Sequence, residues 1–368
     1  MSEEVAIVAS ETTKFTKEDS PFYELACEPC RKILRNMSID RNDIDSVVLS
    51  TCSTLQYTSS IVSEMLGLKP KNSCRIDNLC NSGTSAVITA YSEIVAGLCD
   101  CALVIGAENG SNHTAKRLQW DLTRGSYNQP IHWASLYARA HMRRFGTTEE
   151  QMASVSVKNH RNSSKNPVAL FRNNVTFEDV MKSRKLSDPI KVLDCSYVCT
   201  GSSSLLLASK RKAKDFTDVP VWISGIGQKT TCASLSHLLS SGKVGLESTQ
   251  EAAREAYKMA RTSPRDIDVV ELHDAFTIME IMAYEDLFLT SKGDGGKFVD
   301  QEQVSINPRG GLLGCGHPIG GTGVAQTAEI AAQLAGRAGK TQVKNCKTGL
   351  VHNMAAAGSS SSVIILRS

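Results

Sequence analysis

Residues 75–86 read Arg-Ile-Asp-Asn-Leu-Cys-Asn-Ser-Gly-Thr-Ser-Ala, and the local structure of the chain changes within them. An extended run ends at Cys80, a turn of Gly, Ser and Thr follows, and a helical pattern of small residues begins at 83. The free N–H groups and partial positive charge of a helix N-terminus lower the pKa of a thiol and can hold an oxyanion. The stretch therefore predicts either an activated thiolate at Cys80 or a buried cysteine in a turn.

The segments on either side of this stretch alternate between strands and helices. Strands are predicted at 4–9, 47–51 and 102–108, and helices at 20–36, 59–67 and 83–97. The strands at 47–51 and 102–108 are apolar on both faces, which is typical of strands covered on both sides. We therefore expect an α/β protein whose mostly parallel sheet is covered by helices.

Residues 111–195 have a different character, with frequent Arg and Lys and few strand signals. Helices are predicted at about 131–145 and 148–163, followed by a polar loop, so the segment is interpreted as an excursion from the sheet. Four basic residues cluster near its end: Lys182, Arg184, Lys185 and Lys191. They indicate either a solvated face or a platform for a phosphorylated cofactor.

The second half of the chain repeats the first. A strand at 202–208 and a polar linker at 210–218 lead to a new strand at 221–225, and a helix at 246–261 follows. The stretch Ser-Pro-Arg-Asp-Ile-Asp-Val-Val at 263–270 parallels Ser-Ile-Asp-Arg-Asn-Asp-Ile-Asp-Ser-Val-Val at 38–48. The turn and helix at 320–334 parallel those after Cys80, and 349–353 parallels the strand at 102.

This repetition predicts two similar α/β halves in tandem, related by a pseudo-twofold axis. The predicted division is an N-terminal half at 1–110, an inserted domain at 111–195, the last strand of the first half with its linker at 196–215, and a C-terminal half at 216–368. Cys80 and the segment at 315–320 would then occupy corresponding positions and could meet at the centre.

Two further stretches carry residues suited to catalysis. Glu-Leu-His-Asp-Ala-Phe at 271–276 follows a predicted strand, so His273 can reach a crevice at the carboxyl end of the sheet. The loop at 307–323 is rich in glycine and has His317 in its middle, but it lacks the spacing of nucleotide phosphate loops. One cysteine and two histidines on such loops predict a nucleophile with its general base.

Composition limits the classes of function. With 368 residues, 41% of them hydrophobic, and a formal charge of +3, the chain can build a large core and gives no sign of nucleic-acid binding. The acidic and then strand-like start differs from a signal peptide, and no apolar stretch has membrane-spanning length, so a cytoplasmic location is expected.

The chain has twelve cysteines, of which three pairs are closely spaced: Cys27 with Cys30, Cys99 with Cys101, and Cys195 with Cys199. The Cys-x-x-Cys pair lies in a helical pattern without a second pair at zinc-finger spacing. These cysteines are interpreted as small apolar side chains in a reducing compartment, and no metal site is predicted.

The motifs together resemble those of the thiolase superfamily, most of all the sterol-carrier-protein type and its bacterial and archaeal relatives. The resemblance covers 4–366 and is carried by Gly-His-Pro at 316–318, His-Asp-x-Phe at 273–276, the Cys80 turn and His-Asn at 352–353. It implies the thiolase fold: two tandem βαβαβαββ halves in five layers, α-β-α-β-α, with an inserted loop domain.

The resemblance also implies roles for individual residues. Cys80 would be the nucleophile that becomes acylated, and His317 would take its proton and help to hold a thioester oxygen. His273 stands where many thiolases have an Asn that positions a water in the oxyanion hole. The backbone N–H groups of Cys80 and of the loop near Ala355 would form a second oxyanion hole. The inserted domain, with Lys182, Arg184 and Lys185, would receive coenzyme A as a co-substrate, and no tightly bound cofactor is expected.

The chain departs from the family pattern at the second catalytic cysteine. The sterol-carrier-protein type has it within His-Asp-Cys-Phe, where this chain has Ala275. Other thiolases have it in a C-terminal Cys-x-Gly, where this chain has Asn353-Met354-Ala355. The acid/base is therefore open between Cys315, His273, His352 and a water, and Cys315 can equally be a spectator.

The expected activity is thiolytic cleavage of a 3-oxoacyl-CoA, or the reverse Claisen condensation, through an acyl-cysteine on Cys80. Relatives imply either a bulky or aromatic substrate such as benzoylsuccinyl-CoA, or the synthesis of acetoacetyl-CoA. An alternative is a thiolase-like subunit that binds acyl-CoA with little thiolysis. A retro-aldol reaction is disfavoured, because relatives that perform it tend to lose the cysteine. A homodimer or higher oligomer and a small zinc-ribbon/OB-fold partner subunit are implied by the family.

Overall fold

The computed structural model describes residues 4–37, 39–111, 129–234, 242, 244–299 and 304–368. Residues 112–128 of the predicted inserted domain and Ser38 of the predicted repeat lie outside the described residues. The strands are β1 (Val5–Thr12), β2 (Ser46–Ser50), β3 (Asn72–Ile76), β4 (Cys101–Glu108), β5 (Lys185–Ser187), β6 (Ile190–Lys191), β7 (Gly201–Ser209), β8 (Val221–Thr230), β9 (Val269–Glu271), β10 (Ser305–Ile306), β11 (Thr348–Ala355) and β12 (Ser360–Arg367).

The α-helices come between these strands along the chain. They are α1 (Phe22–Asn36), α2 (Thr58–Met65), α3 (Ser82–Val95), α4 (Pro130–Phe145), α5 (Glu149–Ser163), α6 (Phe177–Lys182), α7 (Lys210–Phe216), α8 (Glu247–Ala260), α9 (Thr277–Asp286), α10 (Gly295–Phe298), α11 (Gly311–Cys315) and α12 (Thr322–Leu334). Within the described ranges, no helix has both the length and the apolar character that crossing a membrane requires.

Ten of the strands form one hydrogen-bonded sheet whose order shows the internal repeat. The order is β10-β9-β11-β12-β8-β1-β7-β4-β2-β3. Read outward from the centre, β1-β7-β4-β2-β3 corresponds strand for strand to β8-β12-β11-β9-β10. The halves are joined where Ala6 and Ile7 of β1 pair antiparallel with Trp222 and Val221 of β8. The predicted pair of similar halves is therefore confirmed.

The sheet is mixed, however, and the prediction of a mostly parallel sheet was wrong. Strand β2 pairs parallel with β3 and β4, whereas β7 pairs antiparallel with β4 and β1. A strand that is apolar on both faces is buried on both faces, but this pattern does not indicate whether it runs parallel to its neighbours. Antiparallel strands in the middle of a layered fold are buried in the same way. The predicted linker at 210–218 also contains a short helix, α7.

The helices form three layers around the two halves of the sheet. Helices α3 and α12 lie in the middle, where they share a core with strands of both halves: Ala86, Val87 and Ala90 with Val104, Leu205, Val269, Val324, Ala328 and Val351. Helices α1 and α2 cover the outer face of the first half, and α8 and α9 cover that of the second. This arrangement confirms the predicted α-β-α-β-α order.

The two central helices touch at their N-terminal ends. A Cβ atom on Gly83 would lie 2.6 Å from the backbone N of Val324, and one on Gly323 would lie 2.4 Å from the backbone N of Thr84. Only glycine permits this approach. The contact brings the segments that precede the two helices together, and these segments carry Cys80 and His317.

Candidate active site

Cys80 lies on a tight turn immediately before α3. Leu79 has a left-handed backbone conformation with φ of +47°, which costs a residue with a side chain about 1–3 kcal/mol. Ser82 stabilises the turn, since its Oγ accepts a hydrogen bond from Asn78 N at 2.7 Å and donates one to Leu79 O at 2.5 Å. The turn places the Cys80 thiol in a cavity near the N-terminus of α3.

His317 reaches the same cavity from the loop between α11 and α12. Its Nε2 lies 3.3 Å from Cys80 Sγ, and its Nδ1 lies 2.7 Å from Thr322 Oγ1. When Nδ1 donates its proton to Thr322, Nε2 presents a lone pair to the thiol. Thr322 thus orients the imidazole, as the third group of a nucleophile–base set does.

His273 completes the group from the end of β9. Its ring centroid lies 5.1 Å from that of His317, with the ring planes at 83°. The Nδ1 atom of His273 is buried and has no hydrogen-bond partner among the described residues. The next residue, Asp274, accepts hydrogen bonds from Leu312 N at 2.7 Å and Leu313 N at 3.2 Å, which ties the two histidine-bearing segments together.

Burial sets the protonation states of these three groups. It raises the pKa of the Cys80 thiol to about 12, assisted by the buried carboxylate of Glu108, and the opposing effect of the cysteine's own backbone N–H is smaller. Burial lowers the pKa of His317 to about 3. Burial, and then the neighbouring imidazoles of His317 and His352, hold the pKa of His273 well below its ordinary value.

The resting group is therefore a neutral thiol beside neutral imidazoles. Of the two states expected for Cys80, burial favours the protonated cysteine in a turn, because desolvation raises the pKa of the thiol and its own backbone N–H opposes this only in part. A neutral imidazole at 3.3 Å from the sulfur can accept the thiol proton as a bond from sulfur to carbon forms.

We expect Cys80 to titrate as an alkaline thiol. Because its pKa is raised to about 12, the thiol stays protonated through the neutral range and the thiolate forms only as the pH rises toward that value. The measurement is the ultraviolet absorbance of thiolate in the parent protein minus that of Cys80→Ala, as a function of pH. A step in this difference below pH 8 would show a preformed thiolate–imidazolium pair and contradict the expectation.

The cavity above these groups has a volume of about 500 Å³ and largely apolar walls. Apolar side chains from five parts of the chain contribute to it: Leu79, Ile131, Trp133, Leu186, Phe276 and Met354. Trp133 and Phe276 pack edge to face, with ring centroids 5.3 Å apart. Ala275 and Ala355 also line the cavity. Ala275 is the residue at the x position of His-Asp-x-Phe, so this position presents only a methyl group to the cavity and no thiol.

Three further candidates are not among the described residues that line this cavity. Cys315 Sγ is buried elsewhere, where it donates to Arg309 O at 3.0 Å and accepts from Asn166 Nδ2 at 3.2 Å. His352 Nε2 contacts Thr249 Oγ1 at 3.1 Å, and Asn353 Nδ2 donates to Gln326 Oε1 at 2.6 Å. These hydrogen bonds favour structural roles for all three.

The basic cluster divides into exposed and buried members. Lys182 and Lys185 are exposed and pair with Glu178 and Asp188, and Arg184 is also exposed. Lys191 is buried, with its Nζ 2.8 Å from Glu149 and 3.3 Å from Asp194, so it is a structural cation. Leu186, which follows Lys185 in the chain, lines the cavity, whereas Lys182, Arg184 and Lys185 are not among the described residues that line it.

The sequence did not single out two residues of this site. Thr322 was visible as the only hydroxyl residue in the Gly-Gly-Thr-Gly flank after His317, and that polarity was its signal. Trp133 lies on α4, and no local pattern shows that this helix packs over the cavity.

Comparison with known proteins gives the family. Residues 5–209 match the family model of the thiolase N-terminal domain, and residues 231–368 match that of the thiolase C-terminal domain. The chain is 34% identical to an acetyl-CoA acetyltransferase of Methanothermobacter thermautotrophicus, over 98% of this chain and 99% of that protein. It is 32% identical to sterol carrier protein 2 of Bos taurus, over 96% of this chain and 70% of that protein.

Two more distant comparisons agree with this. The chain is 29% identical to the benzoylsuccinyl-CoA thiolase subunit BbsB of Thauera aromatica, over 91% of this chain and 90% of that protein. The solved Ltp2-ChsH2(DUF35) aldolase shares the fold, with a TM-score of 0.86 at 23% identity over 99% of this chain and 98% of that one. Both halves of the fold and both family models lead to one conclusion: the chain belongs to the thiolase family and is an acyltransferase enzyme.

Proposed function

We propose that this chain cleaves a 3-oxoacyl-CoA by thiolysis, or runs the reverse Claisen condensation, through an acyl-cysteine on Cys80. The observation that carries the proposal is the 3.3 Å contact between Cys80 Sγ and His317 Nε2 inside an apolar cavity. After incubation with acyl-CoA, intact-protein and peptide mass spectrometry should place one acyl group on Cys80. Absence of this adduct with every acyl-CoA offered would contradict the proposal.

The geometry supports a defined order of steps. His317 takes the thiol proton as Sγ bonds to the 3-carbonyl carbon, whose oxygen becomes an alkoxide held by hydrogen-bond donors. The bond between C2 and C3 then breaks, the carbonyl re-forms as the thioester of Cys80, and the electron pair remains on C2 of the departing acyl-CoA. That carbanion needs one proton, and coenzyme A finally accepts the acyl group from Cys80.

We propose His273 as the group that supplies this proton. Cys80, Cys195, His273 and His317 are the titratable side chains that line the cavity within the described part of the chain. Cys195 donates its thiol to Lys191 O at 3.2 Å, Cys80 and His317 already serve the acylation step, and Ala275 cannot transfer a proton. The proton that His317 took from Cys80 can pass to the adjacent His273 ring and from there to C2. In the condensation direction, the neutral His273 imidazole is the base that takes a proton from C2.

Replacing His273 by asparagine is expected to lower cleavage of 3-oxoacyl-CoA by about 100-fold. The amide can still position a water, as it does in many thiolases, but it cannot carry a proton. Acylation of Cys80 by a simple acyl-CoA should remain within severalfold, because that step forms no carbanion. Deuterium exchange at C2 of acetyl-CoA provides a second measurement and should be lost in parallel. A variant with full cleavage and exchange would assign the proton transfer to water and contradict our proposal.

The cavity supports an acyl group larger than acetyl. Trp133 and Phe276 form an aromatic wall, and Ala275 and Ala355 leave space next to Cys80. The similarity to a benzoylsuccinyl-CoA thiolase subunit agrees with a bulky or aromatic substrate, whereas the acetyl-CoA acetyltransferase relative favours acetoacetyl-CoA as the second candidate. Comparing kcat/KM for acetoacetyl-CoA and an aryl-substituted 3-oxoacyl-CoA distinguishes the two, and a preference for acetoacetyl-CoA would reject the bulky substrate.

Two alternative activities can be weighed against this one. A subunit that binds acyl-CoA without thiolysis agrees with the missing second cysteine, and a turnover number of about 1 to 1000 per second would reject it. Aldolase activity is named for the structural neighbour Ltp2-ChsH2(DUF35). The presence of Cys80 beside His317 favours acyl transfer over a retro-aldol reaction, which needs no nucleophilic thiol.

We further propose that coenzyme A approaches across the inserted segment. Arg184 and Lys185 are exposed and precede Leu186, which lines the cavity, so they are the cations that we expect to meet the phosphates of the co-substrate. A phosphate would replace Asp188 as the partner of Lys185, so Lys185 would exchange one ion pair for another.

We also propose a homodimer and a small zinc-ribbon/OB-fold partner. Strand β3 is at the edge of the sheet, and Leu55, Tyr57 and Met65 expose apolar side chains before and at the end of the adjacent α2. One relative is named as a thiolase subunit, and the structural neighbour contains a DUF35 component. Light scattering tests the dimer, and co-purification from the native source tests the partner. A homo-oligomer that elutes alone at full activity would count against that partner.

A further inference from the structure

The sulfur of Cys80 and one ring nitrogen each of His273 and His317 converge on one point. All three atoms lie within 4.8 Å of one another, and Cys80 Sγ and His317 Nε2 are 3.3 Å apart. In tetrahedral Zn²⁺ sites, bonds of about 2.0–2.3 Å put neighbouring ligand atoms about 3.3–3.6 Å apart. The 3.3 Å pair is already at this spacing, and the His273 nitrogen lies within 4.8 Å of both of its atoms.

A second observation points to a ligand at the same place. The Nδ1 atom of His273 is buried without a hydrogen-bond partner among the described residues, although His273 is only 2% exposed. A buried polar atom without a partner is costly and calls for a group that can satisfy it. The cavity opens next to it, so an ion or small ligand can reach this position.

We propose that Cys80, His273 and His317 form an inhibitory Zn²⁺ site. One thiolate and two imidazoles leave the fourth tetrahedral position open toward the cavity, which is the ligand pattern of zinc sites that hold an exchangeable group. Water, or the thiol of a substrate such as coenzyme A, occupies that position. The site selects Zn²⁺ over Mg²⁺ and Ca²⁺, because sulfur and imidazole nitrogen are poor ligands for those hard cations.

Binding of Zn²⁺ removes the nucleophile from catalysis. The Cys80 S–H bond breaks, its proton goes to solvent, and the sulfur electron pair forms the bond to Zn²⁺, so one proton is released for each ion bound at neutral pH. No oxidation or reduction is involved, and a chelator reverses the step. An enzyme with this site responds to free zinc through the same three side chains that transfer the acyl group.

Co²⁺ is the probe, because its absorption spectrum reports sulfur ligation and tetrahedral geometry directly. Titration of the purified full chain should give one equivalent of bound Co²⁺ with a thiolate charge-transfer band, which Zn²⁺ displaces and Mg²⁺ does not. Cys80→Ala should lose the band. His273→Asn should weaken Co²⁺ and Zn²⁺ binding by at least about tenfold, because an amide is a poorer ligand than imidazole.

Cys52→Ala is the matched control, since Cys52 is buried in the same cluster beside Cys80 and does not line the cavity. It should retain the full band. Persistence of the band in Cys80→Ala would place the metal on other thiols, and unchanged affinity in His273→Asn would leave only two ligands, so either outcome overturns the proposal. These spectra need no turnover, so they remain informative even if the acyl adduct on Cys80 is never found.

Discussion

Replacing Cys80 by alanine is expected to lower acyl transfer by more than about 1000-fold. The methyl group cannot form the acyl-enzyme, and among the described residues that line the cavity the other cysteine, Cys195, directs its sulfur to the carbonyl of Lys191 at 3.2 Å. Activity is measured as release of acyl-CoA from a 3-oxoacyl-CoA in the presence of coenzyme A. Binding of acyl-CoA, measured by calorimetry, should remain within severalfold, because the apolar walls are unchanged.

Cys315→Ala is the control that separates a chemical effect from a packing effect. Cys315 is as deeply buried as a core residue, but it is not among the described residues that line the cavity. Its removal breaks the hydrogen bonds with Arg309 and Asn166, so we expect a loss of about 1 kcal/mol in the free energy of unfolding and activity within severalfold of the parent. A Cys315→Ala enzyme as inactive as Cys80→Ala would reassign Cys315 from spectator to participant.

Replacing His317 by asparagine is expected to lower turnover by about 100- to 10,000-fold, the usual contribution of a positioned general base. The loss is large here because the Cys80 thiol is neutral at rest, with its pKa raised to about 12, so nothing else in the contact removes its proton. The acylation step should carry the loss, and it is measured in a single turnover by mass spectrometry of the Cys80 adduct. Raising the pH should partly restore acylation in the variant, since more of the thiol ionises without a base.

Thr322→Val tests the orientation of His317 and should have a smaller effect than His317→Asn. Valine keeps the shape of threonine but removes the hydroxyl that lies 2.7 Å from His317 Nδ1. The imidazole is then less firmly oriented, and a smaller loss of about tenfold is expected with a folded, stable protein.

An acylation rate in His317→Asn equal to that of the parent at neutral pH would show that the thiol is already ionised, and would contradict the protonation states inferred from burial.

Local patterns in the sequence predicted most elements of the fold. Runs of apolar residues predicted β2 and β4, helical periodicity predicted α1, α3 and α5, and the repeat around Ile44 and Ile267 predicted the two halves. These properties are encoded within a few turns or strands, so they can be read from neighbouring residues. Strand direction was not encoded in this way, because burial on both faces is the same for β4 and for its antiparallel neighbour β7.

The family resemblance predicted which side chains would meet, and the structure gives their chemical state. Cys80 and His317 were expected together, and they lie in contact across the two central helices, where Gly83 and Gly323 allow close approach. The stretch around the helix N-terminus by itself left Cys80 open between an activated thiolate and a buried cysteine in a turn. Only the tertiary structure decided for the protonated thiol, because burial raises the pKa of Cys80 to about 12 and the cavity around its sulfur is lined by residues distant in sequence.

The candidates for the second acid/base were separated in the same way. In the sequence, the acid/base was open between Cys315, His273, His352 and a water, and Cys315 could equally be a spectator. Packing directs Cys315 toward Arg309 and His352 toward Thr249, and it leaves His273 on the cavity wall. The sequence by itself determined the repeat, the elements and the set of reactive side chains. The direction each side chain faces, and hence its protonation and its access to substrate, depends on long-range packing that no local pattern encodes.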